Sequence, residues 1–319
     1  METFKKILSK YYLFVVLFIT ILFFTIMSPA FLSLRNLINI FVQNAYMVIA
    51  TVGIMLIMIS GGADLSVSYQ IGVNACIMGL MMANGISTPM VIVAALVCGL
   101  ALGFINGIIT VTLKVHPMVT TLATMSIFQG MAYIICKGIT FSGFPESFKA
   151  IGQHYLWGKL PISVIIMFVM VILAHVMLKY TNFGRYIYAL GGNEEAAYLA
   201  GINTVRMRVL TFAVSSIFVA VASIVFTSRI GSASPTLASD AVFTCFSACV
   251  LGGISFRGGE GNVVGVVLGV FIFGLLSNGM QLIGLSIYGQ YVVKGILLIL
   301  AISFDNYQKA SRVKKAAKS

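Results

Sequence analysis

Residues 88–113 read TPMVIVAALVCGLALGFINGIITVTL, a stretch with no charged side chain. A helix needs about 20 mostly apolar residues to cross the hydrocarbon core of a bilayer. Comparable stretches recur from Tyr11 to Phe304, and ten candidate spans are read from them: 11–28, 38–60, 66–84, 88–113, 117–137, 160–179, 207–230, 237–255, 262–284 and 287–304. Of the 319 residues 60% are hydrophobic and 9% charged, with a mean hydropathy of +1.04. A soluble domain carries about 25% charged residues, so the solvent for most of this chain is lipid. The alternation expected of a membrane barrel is missing. The reading is an all-α integral membrane protein of about ten transmembrane helices, one transmembrane domain over 1–319 without a separate soluble domain. Its 31 glycines suit helices that approach closely through small residues.

The weakest segment is 66–84, which is short and contains Gln70 and Asn74. It follows Gly61-Gly62-Ala63-Asp64, a helix-breaking polar cluster. A broken or partly re-entrant helix fits there, provided protein rather than lipid covers its irregular backbone.

Lys and Arg set the orientation. With the amino terminus inside, Lys5, Lys6, Lys10, Lys114, Lys179, Arg185, Arg206, Arg208, Arg257 and the five basic residues after Asp305 face the cytoplasm. Arg35, Lys137, Lys149, Lys159 and Arg229 fall outside, and Lys294 lies within the last span. Both termini are then cytoplasmic, in a multi-pass protein of the cell (inner) membrane. The net charge of +12 is a topology signal rather than a nucleic-acid footprint. Lys5-Lys6 before an apolar run also resembles a signal peptide. The apolar core from Tyr11 to Met27 exceeds the usual 7–15 residues of such a segment, which favours a retained helix.

Little in the chain supports chemistry. G-x-x-x-x-G-K-[ST] does not occur, and Gly258-Gly259-Glu260-Gly261 misses the dinucleotide spacing and reads as a tight inner turn. His116, His154 and His175 are scattered, and no metal site is read. Cys245 and Cys249 share a helical face without His or carboxylate company, which reads as packing. No carboxylate lies near the centre of a span, and Asp64 and Asp240 stand at span ends. That disfavours an ion-coupled secondary transporter, the alternative reading. Lys294 sits about 10 Å deep by helical rise. Its stem can snorkel outward or it can line a path.

Two polar interruptions are long. The outer one, 137–161, carries Phe141, Phe144, Phe148, Tyr155 and Trp157. The inner one, about 180–206, holds YTNFGRYIYALGGNEEAAYLAGINTVR. There Asn193 can cap a short helix with Glu194 and Glu195 in its first turn, Gly201 can end it, and Gly191-Gly192 read as a flexible lead-in.

ISGGADLS at 59–66, GRYIYALGGNEEAAYLAGI at 184–202, LGGISFRGGEGNVVG at 251–265 and QYVVKGILLILA at 290–301 occur in that order. Together they resemble the ribose-type permease family of ATP-binding-cassette sugar importers across nearly the whole chain. The resemblance implies inward transport of a sugar-like solute. It also implies a second permease chain, equal or related, and an extracytoplasmic solute-binding protein. Cytoplasmic ATPase subunits would bind ATP and magnesium, this chain holding no cofactor and no ATPase motif. Its coupling motif maps onto Gly184, Arg185, Gly191, Gly192, Asn193, Glu194, Glu195, Ala196, Ala197 and Gly201. The family's glycine after D-L-S is replaced by Ser68-Tyr69 here, and its small aliphatics after Asp240 by Phe243, Thr244, Cys245, Phe246 and Ser247.

Polar or aromatic residues at mid-span are candidates for a translocation path: Gln43, Asn44, Asn74, Thr120, Thr121, Thr124, Ser126, Gln129 and Phe246. Polar residues in spans also knit helices together. Arg35, Lys149, Lys159 and Arg229 are candidates to dock the binding protein, alongside the aromatics of the outer loop, which otherwise read as an interfacial belt.

Overall fold

A computed structural model describes residues 2–299 and Ser303, with main chain alone for residues 2–11. Its helices are α1 (Glu2–Met27), α2 (Leu34–Ile59), α3 (Val67–Ala83), α4 (Thr88–Leu113), α5 (Pro117–Cys136), α6 (Glu146–Gln153), α7 (Ile162–Tyr180), α8 (Asn182–Gly192), α9 (Glu194–Leu199), α10 (Thr204–Ile230), α11 (Ala241–Leu251), α12 (Val263–Leu282) and α13 (Ile287–Ile299). Among the described residues strands are confined to four dipeptides: β1 (Phe141–Ser142) pairs antiparallel with β4 (Ser232–Ala233), and β2 (Tyr155–Leu156) with β3 (Leu160–Pro161). By length and composition α2, α4, α5, α7, α10 and α12 can each cross a membrane. Four shorter apolar helices, Tyr12–Met27 of α1, α3, α11 and α13, accompany them.

The centre is α2 and α10, whose apolar windows are both 72% buried against 33% for α4, α5 and α7. α10 lies against α4 along Gly99, Gly103 and Gly107, one residue per turn. A Cβ on Gly99 would stand 2.5 Å from the Ala220 Cβ, one on Gly103 2.5 Å from the Phe212 carbonyl, and one on Gly107 2.8 Å from the Val209 Cα. Small residues at this spacing let two membrane helices approach backbone to backbone.

α2 breaks where the sequence indicates. Gly61 takes φ +81, a left-handed conformation that glycine adopts without a Cβ penalty. Protein covers the irregular turn, with Ser60, Gly62, Ala63, Asp64 and Ser66 all buried. α3 then runs nearly wholly buried. The predicted span 237–255 is corrected: residues 234–240 form turns, and only Ala241–Leu251 is helical. α11 is therefore about 16 Å long by helical rise, half the hydrocarbon thickness. At its end a Cβ on Gly252 would press within 2.7 Å of Gly265, so α11 gives way to a turn tucked onto α12.

Connections gather at two ends, here called inner and outer after the sides the basic residues assign. At the outer end β1–β4 ties 137–161 to the segment after α10. The outer aromatics divide. Phe144 and Phe148 are core, packed with Met78, Met82, Val91 and Ile224. Tyr155 and Trp157 are exposed, and Trp157 is 88% accessible at the β2–β3 tip in a left-handed conformation (φ 51).

Candidate functional site

α11, α12 and α13 line a partly open cavity of about 400 Å³, within the range of small-molecule sites. Its walls follow helical spacing. Asp240, Phe243, Thr244 and Ser247 recur at i, i+3, i+4 and i+7 along α11, and Tyr291, Lys294, Gly295 and Leu298 do the same on α13. Phe273 of α12 and Ser239 complete the lining. The other face of α11 is pinned to α2: Thr51 Oγ1 donates to Cys245 Sγ at 3.3 Å and Cys249 Sγ donates to the Thr51 carbonyl at 3.7 Å. The two cysteines thus serve packing.

Among the described residues the ion pairs are Lys149 with Glu146 and Arg208 with Glu194. Asp240 and Lys294 therefore share the cavity without closing on each other. A carboxylate only accepts and an ammonium only donates, while the hydroxyls of Thr244 and Ser247 do both. Phe243, Phe273 and Tyr291 add ring faces. Such a wall suits a small, hydroxyl-rich solute with apolar C–H faces.

The sequence-predicted path residues do not line this cavity. Phe246 is buried in the core that includes α2 and does not line the cavity. Gln43 and Asn44 are half-buried on α2, and Asn44 Nδ2 is committed to the Ile40 carbonyl at 2.7 Å. Ser126 is exposed and Gln129 half-buried on α5. Asn74, Thr120 and Thr124 are buried between helices. Thr121 braces the broken turn, donating to the Ala63 carbonyl and accepting from Leu65 N–H, both at 3.1 Å. The sequence marks Thr244 and Ser247 only as departures from the family pattern and does not single out Tyr291; the shared i, i+3, i+4, i+7 rows are the signal that joins them.

Beside Thr121 lies Asp64, fully buried in the turn outside both helices. Ser66 N–H and Oγ–H reach its Oδ1 at 2.8 and 2.6 Å, and Gln70 Nε2 reaches Oδ2 at 2.8 Å. Burial pushes its carboxyl above the usual carboxylate range, and the donors from Ser66, Gln70 and Asn106 pull back only in part.

At the inner end Gly184 fits the α7–α8 corner, where a Cβ would overlap the Leu178 carbonyl. Arg185 is exposed and bonds Asn182. Gly191-Gly192 are not a flexible lead-in. They are the last residues of α8, where the sequence predicts a loop, and Gly191 is wedged where no side chain fits. Asn193 Oδ1 accepts from Ala196 N–H at 2.9 Å and so caps α9, and Gly201 (φ 84) follows its end. Glu194 is tied to Arg208 at 2.6 Å, and Ala197 is buried. Glu195, Tyr198 and Leu199 face out, the last two 67% and 79% exposed. Large apolar side chains on a short polar-loop helix mark a surface made to be covered.

At the outer end Arg35 and Lys159 are exposed, whereas Lys149 is held by Glu146. Arg229 turns inward, its Nη1 donating to the Val42 carbonyl at 3.4 Å and its guanidinium 5.9 Å from the Phe226 ring.

Over residues 36–302 the chain matches a family profile described as branched-chain amino acid transport system / permease component. It is 35% identical to the ribose import permease protein RbsC of Bacillus subtilis over 96% of each chain. Identity to RbsC of Haemophilus influenzae is 36% over 92% of each chain. The galactose/methyl galactoside import permease protein MglC of Escherichia coli is 33% identical over 98% of each. No solved structure matches.

Proposed function

We infer the function from kinship as premise: the chain belongs to the ribose-type permease family of ATP-binding-cassette sugar importers, within a wider family of transport-system permeases. It is a multi-pass membrane protein and a transport subunit rather than an enzyme in itself. Permeases of this kind work with ATPase and binding-protein partners. Our reading is that it carries a sugar or sugar-like solute inward, beside a second permease chain. ATP and magnesium would be bound by ATPase subunits at the inner end. The observation that carries this reading is α9, an inner helix capped by Asn193 that presents Tyr198 and Leu199 to solvent.

In that reading α9 seats on the ATPase through Glu195, Tyr198 and Leu199, while Glu194 holds the helix to Arg208. Exposed aromatic anchors carry a large share of interface energy, about 2 kcal/mol or more each. The double variant Tyr198→Asp/Leu199→Asp is expected to lower capture of the ATPase by tagged permease roughly tenfold or more, since about 1.4 kcal/mol is a factor of ten. Membrane insertion should persist. Wild-type capture in pull-downs from detergent would remove the coupling role of α9.

For the solute route we propose the α11–α13 cavity, with Asp240 and Lys294 as its polar poles. Losing a hydrogen bond to a charged group costs about 1.5–3 kcal/mol. Asp240→Ala and Lys294→Met should therefore each reduce solute uptake into proteoliposomes by about ten- to a hundredfold, with ATPase capture unchanged. Uptake within about twofold of wild type in both variants would refute this route, given that factor of ten. On the outer end, Arg35 and Lys159 are the docking candidates that are exposed and outside an ion pair, with Trp157 two residues before the latter.

A further inference from the structure

Three glycine pairs far apart in sequence, Gly61-Gly62, Gly191-Gly192 and Gly258-Gly259, meet at the inner end. Gly259 N–H donates to the Ile59 carbonyl at 2.8 Å, which sews the α11–α12 turn to the end of α2. A Cβ on Gly191 would overlap that same Ile59 carbonyl and stand 2.6 Å from Gly259 N. One on Gly258 would stand 2.6 Å from Gly61 Cα and 2.9 Å from Gly191 Cα. Gly258 and Gly259 both take positive φ, 83 and 74. At these glycines the end of α8 therefore meets the end of α2 and the α11–α12 turn main chain to main chain, beside the core packing of Ile187 and Leu190. Beside the contact, Tyr188 Oη–H of α8 donates to the Gly261 carbonyl at 2.7 Å.

Contacts through side chains yield, because rotamers and long stems absorb small displacements. Close-packed main chain has no such slack and passes strain on. α8 runs into α9 with only Asn193 between them. The α11–α12 turn runs into α11, which carries Asp240, Phe243, Thr244 and Ser247 of the cavity wall.

We propose that Gly191, Gly258 and Gly259, strapped by Tyr188, form a stiff backbone joint that carries displacement of α8–α9 into α11 and so couples ATP use to the cavity. They are positioning residues and touch no solute. The proposal rests on the coupling reading of α9 given above.

The test uses the assembled transporter in proteoliposomes, with solute uptake and ATP hydrolysis measured together. A second readout is the reactivity of Thr244→Cys toward a small thiol reagent with and without ATP, in a background lacking the five native cysteines. Two variants probe the joint: Gly259→Ala, whose Cβ would stand 2.9 Å from Gly192 Cα, and Tyr188→Phe, which removes only the strap. Gly130→Ala, at an exposed α5 position outside the joint, is the control, with nothing within 4 Å of the added carbon. The expected result is retained ATPase capture and hydrolysis, solute moved per ATP reduced several-fold, and loss of the ATP-dependent change at position 244. The control should behave as wild type. If Gly259→Ala fails to assemble, Tyr188→Phe decides alone. Wild-type coupling ratio and an intact ATP response at position 244 in Tyr188→Phe, and in Gly259→Ala where it assembles, would overturn the joint. The α9 variant keeps the premises apart: capture surviving there sinks the coupling reading, whereas capture lost there with these ratios unchanged sinks the joint alone.

Discussion

Gly103→Leu is expected to abolish the folded permease, cutting the yield of monodisperse protein extracted in mild detergent by roughly tenfold or more. The added Cβ alone would stand 2.5 Å from the Phe212 carbonyl and 2.6 Å from the Ser216 Cβ, and the rest of the leucine has nowhere to go. Overpacking a tight core costs about 1–3 kcal/mol when neighbours can shift. Here the obstacle is the main chain of α10, which is 72% buried at the centre of the molecule, so the cost falls at or above that range. α4 must move away from α10 along its length, uncovering Gly99 and Gly107 as well. Gly130→Leu supplies the contrast, because it adds the same bulk at an exposed α5 position with nothing within 4 Å. Equal yields from the two variants, by fluorescence-detected size exclusion, would show that α4 and α10 do not meet through these glycines.

Asp64→Ala is the second change expected to be severe. It strips the acceptor from Ser66 N–H and from the second bond of Gln70 Nε2, in a turn with no exposed neighbour to hydrate them. An orphaned buried donor costs about 1–3 kcal/mol, and the detergent melting midpoint should fall accordingly. Asp64→Asn keeps one acceptor and should lose less. The pH dependence has a definite sign. Burial raises the carboxyl in the folded protein, so its contribution is fully present below the unfolded value of about 3.9. It is lost as pH rises through the raised folded value. The stability of wild type relative to Asp64→Asn should therefore improve as pH is lowered toward about 4. A difference that stays constant from neutral pH down to that point would contradict a buried, neutral-favouring carboxyl.

Much of the architecture is legible in composition, because twenty apolar residues in a row leave few options in lipid. The interrupted helix at Gly61-Gly62 and the cap at Asn193 are legible too, since both depend on local backbone chemistry. α8 is not. Its glycines at 191 and 192 argue against helix by propensity, and only the neighbouring Ile59 carbonyl and Gly259 explain why glycine stands there. The cavity was half legible. Asp240 stands out as a charge at a span end and Lys294 as one within a span, but choosing between Phe246 and Thr244 requires knowing which face of α11 meets α2. In a segment apolar all round, periodicity carries no such information. Arg229 shows a related limit: position at a helix end fixes depth, not the direction of a long side chain, and its guanidinium is half-buried against the Val42 carbonyl.

α9 holds to the rest of the chain through its two flanking connections, the Glu194–Arg208 pair and buried Ala197. Its outward residues answer to nothing inside the bundle. Selection can therefore rewrite Glu195, Tyr198 and Leu199 without retuning a single membrane contact. On the coupling role proposed for α9, a handful of substitutions at these three positions after a gene duplication would suffice to assign two otherwise equal permeases to different motors. On that role, divergence of import systems within one cell needs no change in the lipid-embedded fold, and crosstalk between duplicates would be settled on the shortest of the described helices.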